Sequence, residues 1–132
     1  MPGKSQAHTD AVLNVLRGSA VAGVTPYVGL FSVAPADDNS VGTELGGDGY
    51  MRQAITFGAA ATDVGNVRKV SNTNLIQFGP ALMDWSQAVA FGVFASLAGT
   101  LLYWDALPTP KTVQQDDYYG QFAVGTLVVK ED

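Results

Sequence analysis

Ala88-Val89-Ala90-Phe91-Gly92-Val93-Phe94-Ala95-Ser96-Leu97-Ala98-Gly99-Thr100-Leu101-Leu102-Tyr103-Trp104 decides the fold of this chain. The stretch holds no charge, and neither do Ser86 and Gln87 before it. A membrane-spanning helix needs about 20 apolar residues, with basic residues on its cytoplasmic flank. This stretch is shorter, lies between Asp84 and Asp105, and breaks in the middle at Ser96-Leu97-Ala98-Gly99-Thr100. Two buried strands, Val89–Ala95 and Leu101–Ala106, joined by that turn, account for it better. No membrane partner is expected.

Strand signals extend to both sides. Tyr27-Val28-Gly29-Leu30-Phe31-Ser32 follows Pro26 and is rich in β-forming residues. In Met51-Arg52-Gln53-Ala54-Ile55-Thr56-Phe57, period-two alternation puts Met51, Gln53, Ile55 and Phe57 on one side. Leu75-Ile76-Gln77-Phe78 is a short strand ended by Gly79-Pro80. Lys111–Val113, Tyr119–Val124 and Thr126–Lys130 complete the set, and Pro108 and Pro110 are expected to end the strand before them. Ala34–Ser40, Gly46–Gly49, Gly58–Asn66 and Asp116-Asp117 read as loops or turns. Short strands separated by turns every 8–12 residues predict a mainly β, single-domain antiparallel β-sandwich or jelly-roll-like barrel. Phe-Gly recurs at Phe57-Gly58, Phe78-Gly79 and Phe91-Gly92 without a fixed spacing, so it marks buried strand ends and not a repeat.

One helix precedes the strands. Val12, Leu13 and Leu16 fall on one face, Thr9 or Asp10 suits the cap, and Gly18 suits the stop, so a short amphipathic helix is expected over residues 10–17. Residues 1–8 are expected to form a flexible N-terminal arm, with 9–132 the single β-rich domain. No apolar run follows Lys4, so no secretory signal is expected.

Composition narrows the function. Charged residues are 14 % of the 132, against about 25 % in an ordinary soluble domain. Glycine is abundant, at 15 residues. So little charge predicts that neighbouring subunits cover part of the surface. The net charge of −5 argues against binding nucleic acid. Without cysteine and with one histidine, thiolate metal sites, disulfides, cysteine nucleophiles and multi-histidine metal sites are excluded.

Catalytic constellations are equally scarce. His8 lies in the expected arm, whereas a general base must be held within hydrogen-bond reach of its substrate. Asp37-Asp38-Asn39 and Asp116-Asp117 are acidic pairs on loops, but neither belongs to the dense oxygen-ligand pattern of a calcium loop. Nothing pairs Glu44 with an aspartate across a cleft, as glycoside hydrolysis requires. Gly46-Gly47-Asp48-Gly49-Tyr50 lacks the Lys-Ser/Thr of a phosphate-binding loop. Trp85, Tyr103, Trp104, Tyr118 and Tyr119 suit either a sugar-stacking platform or core and interface anchors. Tyr103 and Trp104, adjacent in a strand, point to opposite faces.

Several segments, taken in order, resemble a known family. They are Tyr27-Val28-Gly29-Leu30, then Gly47 through Ala60 with Gly49-Tyr50-Met51-Arg52-Gln53-Ala54-Ile55-Thr56-Phe57-Gly58 at its centre, then Ser71-Asn72-Thr73 and Asp84-Trp85. Phe91-Gly92-Val93-Phe94, Gly99-Thr100-Leu101-Leu102-Tyr103 and Pro110-Lys111-Thr112-Val113 follow. Together they resemble the small tail-fibre-like, or minor structural, virion proteins of tailed bacteriophages and prophages, over roughly residues 10–130. Ala95 stands where many members carry an acidic residue.

The resemblance implies a bacteriophage virion structural protein, tail- or tail-fibre-associated and assembled in the host cytoplasm. It would act by self-assembly and by binding other virion proteins of the tail, baseplate or capsid. It implies no enzyme activity and no catalytic, cofactor or metal residues. Capsid decoration and host-surface carbohydrate binding are the alternative roles. Tyr50, Arg52, Tyr103 and Trp104 are the candidate interface residues, because Arg and aromatic side chains concentrate at interface centres. Arg52 suits a carboxylate partner within its own subunit equally well.

Overall fold

The structure, a computed structural model, describes residues 3–20, 23–36, 42–47, 49–115 and 122–131. In chain order it contains β1 (Gly3–Lys4), α1 (Gln6–Asn14) continued by a 3-10 turn over Val15–Arg17, β2 (Tyr27–Val33), β3 (Thr43–Glu44) and β4 (Gln53–Ala54). β5 (Ala61–Thr62), β6 (Arg68–Ser71), β7 (Ala88–Phe94), β8 (Leu101–Lys111) and β9 (Val128–Glu131) follow. The larger sheet has the order β1-β8-β7-β2-β3, with β4 also pairing with β2. The smaller one runs β5-β6-β9. Every pairing is antiparallel.

The uncharged stretch forms the centre of the large sheet, as two strands joined by a turn. Leu30 pairs with Phe91 and Gly29 with Gly92. Strand alternation sends Val28, Leu30, Phe91 and Val93 into the main core, where they meet Ile55, Ile76, Phe78, Trp85, Leu127 and Val129. Phe31, Ala90 and Phe94 lie on the opposite side of the sheet and form a small second cluster. Val70 and Val129 of the smaller sheet join the main core, so the two sheets enclose one apolar interior. This is a mainly β, sandwich-like single domain. Among the described residues, no helix is long and apolar enough to cross a membrane.

The N-terminus departs from expectation. Gly3 and Lys4 pair with Trp104 and Tyr103 of β8, so ordered structure begins inside the stretch expected to be an arm. Ser5, not Thr9 or Asp10, caps the helix, its hydroxyl accepting from the His8 amide at 3.2 Å. Gly18, with φ of 90°, ends the helical segment as expected. The apolar side of the helix is not packed: Leu13 is 58 % exposed and Leu16 87 % exposed.

β8 runs through Pro108 and Pro110 to Lys111, past the expected stop. Its register on β7 jumps from Ala90↔Ala106 to Ala88↔Lys111. Leu107–Pro110 therefore bulge, which is where a sheet tolerates residues lacking an N–H donor. The strand expected over Met51–Phe57 shrinks to β4 and an isolated bridge from Phe57 to Asn72. Leu75–Phe78 reduces to a bridge from Ile76 to Phe122. β5 arises inside Gly58–Asn66, which reads as a loop from sequence, because its pairing depends on β6 and not on its own alternation. Asp37, Asp38, Asp48, Asp116, Asp117, Tyr118 and Tyr119 lie outside the described residues.

Candidate functional site

Tyr50 and Arg52 meet at Glu44. β3 pairs with β2 from Phe31 onward and β4 pairs at Tyr27 and Val28, leaving a gap along the edge of β2 at Gly29 and Leu30. The Tyr50 hydroxyl fills it, accepting from the Leu30 amide at 3.0 Å and donating to Glu44 Oε2 at 2.6 Å. Burial, and then the bond to Glu44, push the Tyr50 phenol far above its ordinary range. The Tyr50 ring stacks on Phe78 and meets Trp85 edge-on. Only glycine fits at position 29, since a Cβ there would lie 2.7 Å from Glu44 Oε2 and 2.9 Å from Phe94 Cε2.

Arg52 extends the bracket. Its Nε and Nη2 donate to the two Glu44 oxygens at 2.9 and 2.8 Å, a two-pronged pair. Its Nη1 donates to the Leu97 carbonyl at 2.9 Å and reaches that of Gly99 at 3.4 Å, holding the β7–β8 turn. The guanidinium also lies over the Phe94 ring, 3.4 Å from its centroid. The Gly49–Gly58 segment and the Phe91–Phe94 segment, the most distinctive parts of the sequence, are thus joined through one arginine. Arg52 pairs with a carboxylate of its own chain, one of the two arrangements open from sequence.

A second polar bracket forms around Asn72, the only polar residue among the buried side chains described. Its Nδ2 donates to the carbonyls of Asn74 at 2.7 Å and Ala123 at 3.1 Å. Its Oδ1 accepts from the Leu127 amide at 2.9 Å. One side chain thereby fastens the end of β6 to the segment entering β9. Next to it, Asn74 Oδ1 accepts from the Thr56 amide at 3.0 Å, and Asn74 Nδ2 donates to the Ala54 carbonyl at 3.1 Å. On the smaller sheet, Asp63 lies 2.8 Å from Lys130 Nζ and 3.7 Å from Lys69 Nζ. The bond from Lys130 is the main reason its carboxyl is held below the usual range.

Tyr103 and Trp104 lie away from the Glu44 bracket, on β8 beside β1. The Tyr103 ring meets His8 edge-on at 4.9 Å, joining α1 to the sheet. It also lines an apolar groove of about 500 Å³ between α1 and the two sheets, with Ala7, Ala11, Phe57, Val93 and Val129. Trp104 is half-buried opposite Gly92. Trp85, at 4 % exposure, is a core residue and has no face to offer a sugar. Among the described residues, no three His, Asp or Glu side chains gather at one point. The two brackets are thus built to hold segments of the chain together. The groove and the exposed apolar side of the helix lie outside both brackets.

The Podophage GP4 fiber I protein gp80 family model matches residues 3–130. No curated protein matches the chain. The match takes in β1, α1, both brackets and β9 almost to its end, and agrees with the tail-fibre-like resemblance of the ordered motifs. The chain belongs to the family of the podophage GP4 fiber I protein gp80.

Proposed function

We propose that this chain is a non-catalytic structural subunit of a podophage tail fibre, working through contacts with copies of itself and with other virion proteins. It needs no cofactor or metal for that role. The observation that carries this reading is the exposed apolar side of α1 beside an apolar groove, in a chain with few charges. Monomeric proteins seldom expose contiguous apolar patches unless something binds there. The strongest polar groups, by contrast, are engaged within the chain: Glu44 with Tyr50 and Arg52, and Asn72 with backbone groups of Asn74, Phe122, Ala123 and Leu127. The subunit would enter the particle during assembly inside the host cell.

Deleting the gene and imaging the particles by electron microscopy tests the role. Intact shells with missing or shortened fibres are expected. Complete fibres on shells that lose an outer layer would replace this reading with capsid decoration. Unchanged particles would remove a structural role altogether.

A further inference from the structure

The helical segment is amphipathic in the inverse sense. No residue of α1 or of its 3-10 extension is buried, and Leu13 and Leu16 point away from the body. The segment is tied down near its start. The Ser5 amide donates to the Leu102 carbonyl at 2.9 Å, Lys4 pairs with Tyr103, and His8 rests on the Tyr103 ring. Further along, Ala11 overhangs the groove, and Val24 on the groove's rim is 48 % exposed. A helix this short has little stability of its own, so apolar cover for its outer side would stabilise it.

The charges indicate what covers it. Asp10 and Arg17 are the only Asp, Glu, Lys or Arg residues between Ser5 and Gly18, and both are exposed. Seven positions is about two helical turns, so they share a side and bracket Leu13. Among the described residues, neither takes part in an ion pair. When two such segments lie antiparallel about a twofold axis, Asp10 of each copy meets Arg17 of the other, with Leu13 and Leu16 between them. A twofold contact requires one patch that complements itself in this way. Each helical segment is about 18 Å long. Two of them bury less than the roughly 800 Å² per partner of a stable complex. The contact is therefore weak in free solution.

We propose that the Gln6–Arg17 segment is a self-association surface, joining two copies antiparallel through Leu13 and Leu16 with reciprocal Asp10–Arg17 pairs. This rests on the structural-subunit reading above and assigns the surface that carries it. Sedimentation equilibrium of the full chain, from micromolar to millimolar, tests it with Leu16→Asp, Asp10→Arg, Arg17→Asp and the double reversal Asp10→Arg/Arg17→Asp. All these positions are exposed, and circular dichroism checks that each variant is folded. The wild type should form a reversible dimer. Leu16→Asp and each single reversal should raise its dissociation constant at least about tenfold, and the double reversal should restore it to within about threefold. A strict monomer, an oligomer of another order, or a dimer indifferent to the reversals would overturn the proposal. Those outcomes leave the particle-imaging result standing, because that experiment reads presence on the fibre and not pairing in solution.

Discussion

Replacing Asn72 by alanine should cost about 3 kcal/mol of stability. The side chain is 1 % exposed, so water does not replace what it loses. Its removal leaves the Leu127 amide without the acceptor at 2.9 Å, and the Asn74 and Ala123 carbonyls without their side-chain donor. A buried donor left unpaired costs about 1–3 kcal/mol, and the carbonyls with the small cavity add about 1 more. Against a total of roughly 5–15 kcal/mol, that lowers the melting temperature by about 10 °C. Asn72→Asp separates the hydrogen-bond account from simple packing. It keeps the shape and the acceptor, but at neutral pH it aims a carboxylate at the carbonyl oxygens of Asn74, Phe122 and Ala123. Its folded pKa must then lie above the unfolded value of about 3.9. The aspartate's deficit relative to wild type is therefore smallest below about pH 4 and grows as pH rises towards the folded pKa. Urea unfolding followed by tryptophan fluorescence, at acid and neutral pH, measures both variants. An alanine variant within about 1 kcal/mol of wild type, or an aspartate deficit that ignores pH, would refute the reasoning.

Tyr50→Phe strands the Leu30 amide and should cost about 2 kcal/mol. Because the folded phenol is raised, its contribution is complete below about pH 10 and shrinks at higher pH, as the unfolded chain ionises first. The gap between wild-type and Tyr50→Phe urea midpoints should therefore narrow above about pH 10, and a constant gap would contradict this. Arg52→Lys keeps the charge but loses the two-pronged grip and the tie to the Leu97 carbonyl. Hydrogen exchange at the Ala95 and Gly99 amides, both within the turn, should speed up about tenfold, with the core strands unaffected. Asp63→Asn should lower the urea midpoint at neutral pH. The wild-type advantage, present above about pH 4, should vanish as pH falls through the depressed folded pKa of Asp63, and salt should weaken it. An advantage that persists at acid pH would exclude the Lys130 pairing as its source.

The central hairpin was legible because its signal is local. An uncharged stretch interrupted by Ser96–Thr100, with Asp84 and Asp105 at its flanks, leaves two strands as the economical reading. β3, β5 and β6 were not legible, since each is short and exists through a partner distant in sequence, as β6 does through β9. β8 continues past Pro108 and Pro110 because a bulge receives them, and the sequence carries no local sign of that bulge. Tyr50 and Arg52 stand out in the sequence as candidate interface residues, and the structure engages both within the chain. Their meeting at Glu44 depends on how β3 and β4 divide the edge of β2, which no periodicity records. The helix was recognised by its apolar spacing, but spacing alone says that a face exists and not which way it turns. Leu16 therefore shows the difference between an amphipathic pattern and a packed one.

The most direct measurement is a cryo-electron microscopy map of the intact particle at side-chain resolution. The account predicts this chain within the tail fibre, with Leu13 and Leu16 covered by a neighbouring chain. Finding it on the capsid shell, or in the fibre with that helix face open to solvent, would contradict the account.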